Sequence, residues 1–342
     1  MTVGMKMFML AAQELNFTKA AEKAYVTPQC LSDHIKRLEN EYHVRLFERR
    51  PHLELTAEGK AMLRYFTEIQ VLEASMENEL AGISSGTRGT IRFGIPATRG
   101  RLFIPQVIPE FQKQYPHVDV EVLLSDTRRL EPLLAEGELD LIMGVAANPN
   151  PLFRRHPICR ENLFVVVPVI LLQKKYGEAY VEKVDGFFQE GIEINELNDV
   201  PLVMASGSST TATAIHSLLL KHGLKVRSPI VVSNFDILLD LCLSGSYATI
   251  CLMSNIGRLL HKEKSDCHQH IWAFPIKNCD ISLSVELITR SHGQQLHYRE
   301  TLIDMLKTAV LHENERVRRW LTSQNVMLYN KNCHPILKNF DI

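Results

Sequence analysis

Residues 17–60 read FTKAAEKAYVTPQCLSDHIKRLENEYHVRLFERRPHLELTAEGK, and this stretch decides the first part of the fold. Thr27 is a good N-cap, and Pro28 suits the first helical turn, where its missing N–H costs little. From Gln29 the spacing predicts a helix, because Leu31, Ile35 and Leu38 recur at four and three and point inward. Upstream, Asn16 or Thr18 can cap a shorter helix kept thin by Ala20, Ala21 and Ala24, with Val26 packing in the turn. Further upstream, residues 5–14 predict a helix with Phe8, Ala12 and Leu15 on one face. Three short helices with a tight turn before the third predict a helix-turn-helix. Its third helix turns Gln29, Ser32, Asp33 and Lys36 outward, where hydroxyl, amide and ammonium groups suit DNA bases and phosphates.

Beyond the third helix, Val44, Leu46 and Phe47 anchor a turn, and Leu53 and Leu55 alternate as in a short strand. That pattern predicts a wing, with Arg45, Arg49 and Arg50 as a local positive cluster. Thr56 then caps a long helix whose apolar residues are Met62, Phe66, Ile69, Leu72, Met76, Leu80 and Ile83. The stripe runs for about 30 Å at 1.5 Å per residue. It needs a partner for its apolar face, and a second copy of the chain is the expected one. Gly82, Gly86 and Gly89 among small polar residues predict a hinge at 85–90.

The remaining two-thirds alternates strands and helices, which predicts mostly parallel sheet in two small α/β lobes with a cleft between them. The expected domains are 1–60 for DNA binding, 57–84 for dimerisation, 91–310 for the two lobes and 311–342 as an extension. The first lobe is expected over about 91–165 and 270–310, the second over about 166–269. Ligands in such sheets bind beyond the carboxyl ends of strands, often at helix starts. Two polar helix entrances fit. One holds Pro96, Thr98, Arg99 and Gly100; the other holds Ser206, Ser208, Ser209 and Thr210. Their hydroxyls and backbone N–H groups, with the charge of Arg99, suit a small anion.

Composition excludes several classes. The formal net charge of the 342 residues is -1, so any DNA contact rests on a local basic surface or on two subunits. Seven cysteines, an odd number, argue against a disulfide framework and for a reducing cytoplasm. No signal-peptide pattern or membrane-length apolar run is present. No Ser, His or Asp falls in a nucleophile-elbow or dinucleotide spacing, so no catalytic residue and no cofactor is expected. His261, Cys267, His268 and His270 make only a weak metal pattern without a matched second cluster, and no metal is expected. Cys242 on an apolar helix face and Cys251 in an apolar strand read as buried, inert thiols rather than a redox pair. Paired α/β lobes alone also suit a solute-binding protein, but the winged N-terminus and the missing signal peptide argue against one.

In order, these segments resemble a LysR-type transcriptional regulator. Residues 17–60 are close to that family's winged helix-turn-helix, and FIPQVIPEFQKQYPHVDVEVLL and LLAEGELDLIMGV resemble the start of its effector-binding domain. The likeness covers about residues 5–310 and is most specific over 17–59. It implies an effector domain of two subdomains like a periplasmic binding protein, assembly as dimer or tetramer, and a small metabolite held between the subdomains. Thr18, Thr27, Pro28, Gln29, Ser32, Asp33, Lys36, Arg37, Arg49 and Arg50 would then face DNA, with RNA polymerase as a further partner. Three departures stand out. The chain has Pro28-Gln29 and Asp33-His34 where the family often has Gln-Pro and Arg-Gln. An aspartate is unfavourable beside phosphates but specific against a cytosine amino group. Residues 172–195 are longer than the usual connection and predict an added helix or hairpin. The segment 311–342 passes the usual end, and its VMLY hints at a short buried element.

Overall fold

The computed structural model describes residues 1–48, 52–85, 89–206, 209–223, 230–261, 271–291 and 296–329. The chain forms two compact units, one from Met1–Gly89 and one from Thr90–Ser291 together with the chain from Leu296 onward.

The first unit begins with helices α1 (Val3–Glu14), α2 (Phe17–Lys23) and α3 (Pro28–Tyr42). Each has a side-chain cap. Thr2 accepts from Met5 N–H, Asn16 from Thr18 and Lys19 N–H, and Thr27 from Cys30 N–H. Such caps are worth about 1 kcal/mol each. Leu15, expected on the inward face of α1, instead ends that helix in the left-handed region and is exposed. Strands β1 (Phe47–Glu48) and β2 (Glu54–Leu55) pair antiparallel, Phe47 opposite Leu55. Helix α4 (Ala57–Ser85) starts where Gly59 N–H donates to Thr56 Oγ1 at 2.9 Å. A Cβ on Gly59 would overlap the Leu46 carbonyl, so glycine permits this close approach. Phe8, Leu31, Ile35, Leu38, Leu46, Phe47 and Phe66 form the core, with Phe8 meeting Phe66 edge-on at 5.7 Å.

The second unit opens with β3 (Gly89–Ile95), α5 (Ala97–Gln114), β4 (Val118–Leu124), α6 (Thr127–Ala135) and β5 (Leu141–Val145). The long β6 (Phe153–Pro168) follows, then α7 (Val169–Tyr176), α8 (Tyr180–Glu190), β7 (Val203–Ala205) and α9 (Thr210–Lys221). Next come β8 (Ile230–Val232), α10 (Phe235–Leu243), β9 (Thr249–Leu252) and α11 (Met253–His261). The unit closes with β10 (Ile271–Pro275), β11 (Ser282–Arg290) and α12 (His297–Tyr329).

The main sheet has the order β10-β6-β11-β5-β3-β4, with β9 also on β6. It is mixed rather than mostly parallel. β3 and β5 are parallel, while β11 runs antiparallel to both β5 and β6. β6 joins the two lobes. Its first half pairs with β11, and its second half pairs with β9 and β10. The first lobe's core gathers Phe93, Phe103, Phe111, Leu141 and Val285 under α5 and α12. The second lobe packs Val165, Val167, Leu202, Ile250 and Phe274 under α7, α8 and α9. β7 and β8 pair parallel, and a parallel bridge from Leu202 to Ala248 ties them to β9.

The extra length at 172–195 forms α7 and α8, whose Tyr180 hydroxyl accepts a bond from Trp272 Nε1 at 2.8 Å. Val169 and Ile170, although they continue the apolar run of β6, begin α7 after Pro168. Among the described residues beyond Leu311 there is no separate element, because α12 continues unbroken to Tyr329. Cys242 and Cys251 are fully buried, and burial pushes both thiols well above the usual range. The metal pattern at 267–270 lies outside the described residues, and no metal-binding cluster occurs among those described.

Candidate DNA-reading surface and ligand cleft

The first candidate surface is the outer face of α3 and its surroundings. Thr18, Thr27, Pro28, Gln29, Lys36 and Arg37 are exposed; Ser32 and Asp33 are half-buried. Gln29 Nε2 donates to Asp33 Oδ1 at 3.0 Å, so two of the outward polar groups hold each other one helical turn apart. That bond occupies one carboxylate oxygen and leaves Asp33 fewer acceptor sites for a base edge. Arg45 is exposed at the foot of the wing; Arg49 and Arg50 lie outside the described residues. Tyr25 is a residue the sequence reading passed over. It sits in the turn before α3 with positive φ and is 96% exposed. An aromatic that packs on nothing is the signal that could have drawn attention to it.

The expected seam on α4 divides. Phe66 is 4% exposed and belongs to the core of its own unit, and Met62 and Ile69 are half-buried against that core. Leu72 and Met76 are 54% and 52% exposed. The Leu80 side chain is outside the described set. The stripe's early residues close the three-helix core, while Leu72 and Met76 are uncovered on the single chain.

The cleft between the lobes is a cavity of about 240 Å³. Five helices begin around it. Pro96, Thr98 and Arg99 come from the start of α5, Asp126 and Thr127 from α6, and Ser209 and Thr210 from α9. Ser233 and Asn234 precede α10, and Ser254 and Asn255 open α11. The leading N–H groups of a helix lack partners within it, so each start is electropositive. Neither α5 nor α6 has a side-chain cap.

Several of these groups already have partners. Arg99 is 4% exposed and donates twice to Glu161 on β6, at 3.2 and 3.0 Å. Glu161 also accepts from Ser254 N–H at 3.2 Å. The positive charge expected for an anion is thus neutralised inside the protein. Thr210 Oγ1 donates to Val145 O at 2.8 Å across the cleft, and Thr127 Oγ1 accepts from Val145 N–H at 3.0 Å. Ser209 Oγ caps α9 by accepting from Ala212 N–H. Gly100 does not line the cavity; a Cβ there would lie 2.6 Å from Leu124, so it serves packing. Ser206 is also absent from the cavity wall; its N–H donates to Val232 O, and Ser208 lies outside the described residues. Asp126, Thr127, Ser233, Asn234, Ser254 and Asn255 were missed. Each follows a strand and opens a helix, which is the signal that would have found them.

A winged helix-turn-helix unit together with a two-lobed α/β unit enclosing a polar cleft defines a ligand-responsive DNA-binding regulator. Residues 4–60 match the family of bacterial regulatory helix-turn-helix proteins, lysR family, and residues 84–311 match the LysR substrate binding domain. The chain belongs to the LysR family and is a sequence-specific DNA-binding transcriptional regulator with an effector-binding domain. It is 23% identical over 308 residues to the HTH-type transcriptional regulator CysL of Bacillus subtilis, covering 89% of this chain and 96% of that protein. Full-length OxyR C199D from Pseudomonas aeruginosa shares the fold with a TM-score of 0.58 at 19% identity, covering 91% of this chain and 94% of that one. Full-length CbnR, solved with its target DNA, does so with a TM-score of 0.51 at 19% identity, covering 90% and 98%. Among the described residues no helix is long and apolar enough to cross a membrane.

Proposed function

We propose that the exposed row on α3 reads the operator and that a small anion in the lobe cleft controls that reading. The observation that carries this is the convergence of five helix starts on one cavity. Backbone N–H groups and hydroxyls there attract an anion, while the cation expected to help is spent on Glu161. At about 240 Å³ the cavity falls below the ~300–1,000 Å³ of sites for drug-sized ligands. That size favours a metabolite of few heavy atoms. Gln29, Ser32 and Asp33 are assigned to base edges; Thr18, Tyr25, Thr27, Lys36 and Arg37 are assigned to the backbone. The division at 1–60, 57–84 and 91–310 remains our domain reading. Two copies joined along α4 would present two reading helices to neighbouring half-sites. RNA polymerase is the further protein that such a complex would address.

Operator titrations over a salt series test the DNA surface. Lys36→Ala should weaken binding to every sequence and reduce the salt slope by about one unit, whereas Asp33→Ala should change the preferred bases. Folded variants showing neither effect would place the reading surface elsewhere.

Calorimetry with a panel of small carboxylates tests the cleft. Thr98→Ala with Ser233→Ala removes one hydroxyl from each lobe. Losing hydrogen bonds to a charged ligand should lower affinity about 10- to 100-fold. A carboxylate that alters operator binding yet binds this variant undiminished would remove the effector from the cleft.

A further inference from the structure

α12 is 33 residues long, about 50 Å at 1.5 Å per residue. Its first half belongs to the first lobe, where Tyr298, Leu302, Ile303, Leu306 and Val310 complete the core. Its second half belongs to the second lobe. Val317 is fully buried there, with Trp320 and Leu321 packed against the same cluster as Cys242, Ile256 and Ala273. A single unbroken helix is therefore built into both hydrophobic cores.

Polar contacts fix the second half. Arg316 donates to Gly257 O at 3.0 Å and to Glu313 Oε1 at 2.9 Å. A Cβ on Gly257 would overlap the Glu313 carboxylate, so α11 and α12 lie in closest approach. Asn314 donates to Cys159 Sγ on β6 at 3.2 Å. Gln324 is fully buried and spans the backbone of β10. Its Oε1 accepts from Ala273 N–H at 2.9 Å, and its Nε2 donates to Ala273 O at 3.4 Å. The amide pairs with that strand as one residue of a neighbouring strand would, on the same element whose far end Ile192 joins through its N–H to Pro275 O.

We propose that the part of α12 beyond Leu311 is a strut that holds the two lobes at one spacing. The cleft then accepts its ligand preformed instead of by hinge closure. Helices resist bending, and opening the lobes would pull Val317 or Gln324 from its seat. Two further ties act in the same sense. Thr210 on α9 donates to Val145 O at the end of β5. Asp236 on α10 is buried between Arg101 of α5 and Arg258 of α11. The LysR substrate binding domain match ends at residue 311, so the strut lies outside the matched region. Only the consequence for the ligand rests on the effector reading; the strut itself does not.

The test is a pulsed spin-label distance measurement on the full chain. Labels are coupled to a non-natural ketone side chain at exposed Arg128 and Leu220, one on each lobe, so the cysteines stay native. Labelled chain is diluted into unlabelled chain so that only distances within a chain are read. The parent should give one narrow distance. Val317→Asp, and separately a chain stopped after Leu311, should broaden the distribution about twofold, as released hinge motion would. Circular dichroism should show both still folded. A broad or split distribution in the parent overturns the proposal. So does an unchanged width in the folded strut variants. If both variants unfold, Gln324→Ala decides, because it removes only the amide at the sheet edge. Broadening supports the strut, and a parental width overturns it.

Discussion

Phe66→Glu should unfold the Met1–Gly89 unit, whereas Leu72→Glu with Met76→Glu should leave it folded and separate the subunits. Phe66 is buried beside Phe8 and shares its cluster with Leu31, Ile35 and Phe47. Truncating such a phenylalanine costs about 3–5 kcal/mol, and an unpaired carboxylate in its place adds to that. The sum approaches the whole stability of a domain of this size. Leu72 and Met76 are more than half exposed, so glutamate there meets water within the single chain. It would meet an apolar seam only when a second copy packs on α4. Circular dichroism melts and sedimentation velocity together separate the outcomes. The Phe66 variant should lose the transition of the first unit. The double variant should keep it, sediment as a smaller particle and lose operator affinity. A Phe66 variant that stays folded and dissociates would put Phe66 in the seam. A double variant of parental size would put the seam on another surface.

The winged helix-turn-helix was legible because its determinants are local. Thr27, Pro28 and the spacing of Leu31, Ile35 and Leu38 set α3 within a dozen residues. The same local logic put Phe66 in the seam, whereas it packs in the core of its own unit. A stripe on α4 shows that a face is buried, but not whether its own domain or a second copy buries it. β6 was only half legible. Its second half is a plain apolar run, but Arg154, Arg155, Pro157 and Arg160 in its first half look like loop, and pairing with β11 makes them strand. The continuation of α12 beyond residue 311 was not legible for a related reason. Its inward stripe continues through Glu313, Asn314 and Gln324, polar residues that an apolar period does not register. Glu313 is met by Arg316 one turn further along the helix, and Asn314 and Gln324 by distant partners, Cys159 and the edge of β10.

The fate of Arg99 was decided by a partner 62 positions away, and it yields the second large expected effect. Glu161→Gln should destabilise the Thr90–Ser291 unit by about 3–5 kcal/mol, the usual cost of breaking a buried ion pair from one side. Arg99 and Glu161 are both almost entirely buried and joined by two hydrogen bonds. Glutamine keeps the shape and one acceptor but removes the charge. A guanidinium cannot shed its proton to escape, so it would remain buried and unpaired. The melting temperature should fall by about 6–20 °C. Removing both charges with Arg99→Met and Glu161→Leu should cost much less, since an apolar pair of similar volume often replaces a buried ion pair neutrally. The cycle of single and double variants then gives a large coupling. Glu161→Gln carries a second consequence at the same place. Arg99 lines the cleft, so relieving it of Glu161 leaves a positive charge beside five helix starts. The fraction that remains folded should bind a carboxylate more tightly than the parent and be stabilised by it more. A Glu161→Gln chain melting within a degree or so of the parent would show that the pair does not form. One that melts low but gains no affinity for any anion would show that Arg99 stays closed off from the cleft.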